Sequence, residues 1–370
     1  MPAIRASLYL AAATLFAASA MSAHAEDGPI TLEAAAIPFN ASDSAAAPAG
    51  RLRWLGGLHL TAKDERVGGL SGLRWLGGNR FLAISDEGDW LRFDTEETEG
   101  KLTGIGAARI GRLSDDNGAP LISKALADAE ALTIALQEGK PARATVYFER
   151  SHRGTSYALD DDGGIAGPGR PVALGAFTQI LPANEGLEAV AGLPGGPLYI
   201  PEGGRGDDGH IRAWRRVTEN GKASFKPVYL DLPAPYKPTD AQALSDGSVL
   251  LLSRHFSAMD GVSMRLDRYR QANNGKWVRS ALARFAPPVN VDNMEGLAIR
   301  QENGRTFVYL LSDNNFQAIQ RTLLLKFELV APKPGDLPKP KLPAEKPAPA
   351  KPTPAKPAPP PKAKAPEQPE

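Results

Sequence analysis

The 370-residue chain contains no cysteine. That excludes thiol nucleophiles, zinc–thiolate sites and iron–sulfur clusters, and it leaves a body of about 300 residues to be stabilised by its core alone. No stretch carries the apolar periodicity of a long amphipathic helix, and no apolar run is long enough to span a bilayer. Charge of one sign is also missing. Residues 26–330 hold 34 basic and 38 acidic side chains, a balance without the electrostatic footprint of a nucleic-acid binder.

What is present is a repeat. Ser71-Gly72-Leu73, Glu130-Ala131-Leu132, Glu188-Ala189-Val190, Gln242-Ala243-Leu244 and Glu295-Gly296-Leu297 begin 59, 58, 54 and 53 residues apart. After each comes an apolar run closing on polar residues, then an alternating run. Examples are Phe81-Leu82-Ala83-Ile84 before Ser85-Asp86-Glu87, and Val249-Leu250-Leu251-Leu252 before Ser253-Arg254-His255. Continuous runs suit strands buried on both faces, and a period of 50–60 residues with such content predicts an all-β propeller. Five repeats are marked. The segment 26–70, with strand candidates at Ile30-Thr31-Leu32 and around Arg51–Leu55, could supply a further blade or share strands with the C-terminal end to close the ring. Six blades are favoured, with five or seven open.

The two ends differ from this body. Residues 1–25 carry one charge (Arg5), an apolar stretch from Leu8 to Ala20 and an Ala23-His24-Ala25 box. This reads as a secretory signal peptide and predicts a periplasmic or secreted protein. Residues 331–370 contain 15 prolines and 8 lysines and read as a semi-extended tail. It is either an inert extension or a cationic strap for anionic envelope polymers.

Repeated acids at equivalent points of a propeller converge on its axis. Candidate metal ligands are Asp86, Glu87, Glu130, Glu202 and Asp313, with Glu149 at an equivalent strand end. Clustered carboxylates suit a hard cation such as calcium. Candidate catalytic residues are Glu188 and Glu295, with Arg150 and Arg254 as clamps for an anionic oxygen and His152 and His255 as acid–base partners. Each acid could instead satisfy backbone N–H groups or pair with an arginine of a neighbouring blade, and each histidine could serve a local hydrogen bond. Gly204-Arg205-Gly206-Asp207-Asp208-Gly209 fits a dinucleotide motif by letter only, since it links two strands, and Ser71 lies in no Gly-x-Ser-x-Gly elbow.

Asp292-Asn293-Met294-Glu295-Gly296-Leu297-Ala298, Asn184-Glu185-Gly186-Leu187-Glu188-Ala189-Val190-Ala191, and Gly69-Leu70-Ser71-Gly72-Leu73 with Ile84-Ser85-Asp86-Glu87-Gly88 resemble the phytase-like family, secreted bacterial propellers described as having esterase-like activity. The resemblance covers about 68–329. It implies a calcium-dependent hydrolase of an ester or phosphoester that takes an anionic small molecule as a monomer. The alternative is a non-catalytic envelope propeller that binds a ligand or partner.

Overall fold

The computed structural model describes residues 27–44, 51–206, 208–259 and 261–331. The signal segment and all but the first residue of the tail lie outside them.

Each continuous apolar run becomes the second strand of an antiparallel sheet, buried from both sides because sheets pack on both its faces. Blade 1 consists of Leu70–Gly77, Arg80–Ser85, Asp89–Thr98 and Lys101–Arg112. Blade 2 consists of Ala129–Gln137, Lys140–Phe148, Arg153–Leu159 and Ile165–Val172. Ala189–Leu193, Gly196–Ile200, Ile211–Glu219 and Lys222–Leu230 form blade 3. Lys237–Ala243, Val249–Ser257, Gly261–Gln271 and Trp277–Phe285 form blade 4. Asn293–Glu302, Arg305–Asp313 and Thr322–Leu329 are the inner three strands of blade 5. The first strands of the five blades touch one another in cyclic order, so they line the axis of a closed ring.

The ring has five blades. The N-terminal segment makes no sixth sheet; Leu52–Ala62 pairs with Thr322–Leu329, and Leu32–Ile37 adds outside it, completing blade 5. Gly28–Ile30 pairs instead with the outer strand of blade 1. One short stretch of chain thus contributes strands to both the first and the last blade and ties them together. Rings interlock across the blade boundaries. Phe81 of blade 1 meets Tyr309 of blade 5 at 4.6 Å, and Tyr147 of blade 2 meets Tyr199 of blade 3 at 5.8 Å.

Four of the five first strands are irregular at the same end. The pairing slips around Ser71 and Gly72, at Glu130, at Thr239 and at Glu295, while Glu188 immediately precedes its strand. Such bulges re-aim a side chain out of the sheet. They also correct the register of the fourth repeat. Thr239, not Gln242, is the counterpart of the repeated acids; Gln242 lies three residues further along and accepts a hydrogen bond from the Ile299 N–H of blade 5 (2.9 Å).

Candidate functional site at one axial end

Midway along the axis the channel is crossed by a charged pair. Arg74, on the first strand of blade 1, reaches Asp240 of blade 4 with two hydrogen bonds of 2.7 and 2.8 Å. Its guanidinium also donates to the carbonyls of Leu73, Leu297, Ala241 and Val190, so one side chain ties four blades. Asp240 accepts two further hydrogen bonds, from the N–H groups of Ala241 and Leu297, both 2.7 Å. Four donors fill the acceptor positions of a carboxylate. Burial lifts the Asp240 pKa, and Arg74 opposes the lift. Neither residue stood out in the sequence. The available signal was an isolated arginine inside an otherwise apolar strand, Leu70-Ser71-Gly72-Leu73-Arg74-Trp75.

Beyond this pair, toward the bulged ends, the axis opens on a mouth where acids outnumber cations. Glu295 pairs with Arg254 at 2.6 Å. Glu130 and Glu188 have no ion pair among the described residues. Burial drives both pKa values well up, and each is raised further by its acidic neighbours: Glu188 and Asp128 act on Glu130, and Glu295 and Glu202 act on Glu188. Burial also lifts Glu295 to about 7, although Arg254 pulls against it. Asp313, beside Asn293 and capping the Asn315 N–H at 2.7 Å, rises to about 6, again chiefly by burial.

The remaining candidates sit on the rim and are partly neutralised. Lys124 bonds Asp86 at 2.5 Å and Asp128 at 2.9 Å and stands 3.5 Å from Glu87. Arg150 bonds Asp128 at 2.7 Å, and Lys237 bonds Glu202 at 2.9 Å. Arg150 therefore faces a carboxylate rather than an open anion position. Gly69 closes this rim: with φ +59°, any Cβ there would lie 1.9 Å from Asp86 Oδ1, so the approach of these two segments requires glycine.

His152 and His255 join none of the mouth carboxylates by a side-chain hydrogen bond among the described residues. His255 lies edge-on to Tyr236, with ring centroids 5.9 Å apart. His152 sits in a turn with φ +41°, its N–H bonded to the Glu149 carbonyl and both ring nitrogens buried without a partner.

Three acids outline a cation position, although Lys124 and Arg150 already pair with Asp128. Asp128, Glu130 and Glu149 each offer an oxygen within 4.8 Å of the others, about the widest separation of two ligands on one calcium. Of the acids read from the sequence, Glu130 and the strand-end Glu149 belong to this group. Asp128 was missed because it precedes the repeat motif and resembles a helix-ending turn residue.

A comparison with curated proteins gives no match. Among solved structures, a luciferin-regenerating enzyme is 11% identical over 82% of this chain and 98% of its own, with a TM-score of 0.39. A protein titled glucose dehydrogenase is 11% identical over 74% and 98%, with a TM-score of 0.40. The periplasmic gluconolactonase of Pseudomonas aeruginosa is 10% identical over 82% and 97%, with a TM-score of 0.32. Likeness at this level decides nothing about the site. The family model described as "Phytase-like: Esterase-like activity of phytase" matches residues 65–316, an interval that runs from before blade 1 to the loop bearing Phe316 and takes in every acid of the mouth. By that match the chain belongs to the phytase-like family.

Proposed function

We propose that the axial mouth is the active site of an exported, calcium-assisted hydrolase acting on an ester or phosphoester. The observation that carries this reading is the set of three glutamates at the starts of first strands, Glu130, Glu188 and Glu295, gathered at one end of the channel that Arg74 and Asp240 cross, with burial raising each pKa. Paired carboxylates in unequal environments divide acid from base. Glu295, near 7, takes a proton from an attacking water at neutral pH. Glu188, whose pKa is raised by burial and by neighbouring Glu295, gives one to the leaving oxygen. Water adds to the acyl or phosphoryl centre, the bond to the leaving oxygen breaks, and an acid and an alcohol result. Solvent returns the two glutamates to their starting states. Arg254, beside Glu295, stabilises the developing oxyanion. Calcium held by Asp128, Glu130 and Glu149 would supply Lewis-acid polarisation. Export rests on residues 1–25, and the absence of any helix long and apolar enough to cross a membrane among the described residues is compatible with it.

Purified protein assayed with phosphomonoesters, phytate and short acyl esters should show turnover that chelator removes. Glu295→Gln should lower it by about 10²-fold. Turnover unaffected by both would sink the assignment. The second reading, a binding propeller without catalysis, is favoured by one observation: neither His152 nor His255 engages a carboxylate or a hydroxyl nucleophile.

A further inference from the structure

Beside the acidic mouth, between blades 4 and 5, lies a cavity of about 580 Å³ reached directly from Arg254. The volume falls within the range of small-ligand sites. Its walls are of two kinds. Phe256 and Val262 face each other across the hairpin of blade 4, and Ile319 comes from the loop between the second and third strands of blade 5. Phe256 is 66% and Ile319 86% exposed, so two large apolar side chains are presented to one hollow. The opposite wall carries the amides of Asn293 and Asn315. Arg254 and Phe256 are two residues apart on one strand and so share a face. The loop is held by its own hydrogen bonds: the Asn315 amide donates to Gln320 Oε1 and the Phe316 N–H to Asn314 Oδ1, both at 3.0 Å.

Charge narrows the occupant. The guanidinium that lines the cavity is already paired with Glu295, and Glu188, Glu202 and Asp313 interact with it electrostatically. With one guanidinium, already paired, and Asp292 in the same lining, the cavity can accept one carbonyl or carboxylate oxygen and offers no second cation to a polyphosphate.

We propose that the substrate is an ester of a medium-chain or aryl carboxylic acid, with its apolar acyl group in the cavity between blades 4 and 5 and its carbonyl at Arg254. The proposal rests on the hydrolytic reading of the mouth and names its substrate class. Water adds to the acyl carbon, the acyl C–O bond breaks, and the alcohol leaves with a proton, giving the free acid.

The test compares p-nitrophenyl acetate, butyrate and hexanoate, with p-nitrophenyl phosphate and phytate alongside, for the native protein and the doubly substituted Phe256→Ala/Ile319→Ala. Both substituted side chains are exposed, and circular dichroism with the melting temperature checks that the fold is kept. Native kcat/KM should rise about two- to fourfold per added methylene, and the double substitution should flatten that slope. Calorimetric binding of hexanoate against acetate gives a readout free of catalysis, with hexanoate the tighter. Absence of any chain-length dependence, a slope that survives the double substitution, or phytate preferred over hexanoate would overturn the proposal. If no ester or phosphoester is turned over, the hydrolytic reading fails, and the hexanoate comparison alone decides whether the cavity is an acyl site.

Discussion

Two charged clusters share one axis and are built in opposite ways. At mid-channel, Arg74 and Asp240 are buried, bidentate and saturated with backbone partners. At the mouth, Glu130, Glu188 and Glu295 crowd together with one guanidinium among them. The first cluster compensates its charge and holds four blades in place. The second leaves charge uncompensated and open to a ligand. Raised carboxyl pKa values occur in both, so the shift alone does not mark function; what separates the clusters is whether donors fill every acceptor position.

That contrast is broken most sharply by isosteric neutralisation. Asp240→Asn strands a buried guanidinium and should destabilise the fold by about 3–5 kcal/mol in urea denaturation. Glu295→Gln, made in chelator, should cost less, because Glu202 and Glu188 still act on the Arg254 it leaves. Equal losses from the two substitutions would erase the distinction.

Next in size is calcium. A cation bound only by the native mouth should stabilise it by about 2.7 kcal/mol at a hundred times Kd, read as a raised Tm. An unmoved Tm would leave the Asp128–Glu130–Glu149 group without its proposed occupant.

Acidity sharpens the comparison further. Folded Glu295 keeps its proton to about pH 7, whereas the unfolded chain releases it near the ordinary value of 4.5. Between these values the unfolded state binds fewer protons, so stability should fall as pH rises from about 4.5 to 7 and level off above. The drop in chelated protein should be roughly 3 kcal/mol, and Glu295→Gln should reduce it. Asp313 acts in the same sense between 3.8 and about 6. A flat profile across this window would contradict the burial of these carboxyls.

The smallest effect belongs to Gln242. Gln242→Leu leaves the Ile299 N–H without its acceptor and should cost about 1 kcal/mol with turnover intact, as expected of an interblade contact rather than a mouth residue. Lost turnover at full stability would restore Gln242 to the site.

Much of the ring was legible in the chain because strand burial leaves a local signature. Runs such as Val249-Leu250-Leu251-Leu252 must be covered on both faces, and their spacing repeats with each blade. The mouth acids were legible for the same reason, as polar positions at fixed offsets from those runs. The fourth register was not, because a bulge shifts which side chain points at the axis without changing composition, and Thr239 resembles no glutamate. The blade count was left open because pairing of Leu52–Ala62 with Thr322–Leu329 joins residues more than 250 positions apart, and no local pattern records that choice.

The sequence by itself determined that the chain builds a repeating, mostly antiparallel β array with an acid near the start of most first strands. Periodicity and apolar runs are local properties that hydrophobic burial enforces wherever the chain goes. Tertiary structure alone decided that Arg74 meets Asp240 across the axis, that Lys124, Arg150 and Lys237 neutralise the rim, and that Glu130, Glu188 and Glu295 are left facing one another. Charge compensation depends on distances of a few ångströms between blades, and those distances exist only once the ring has closed.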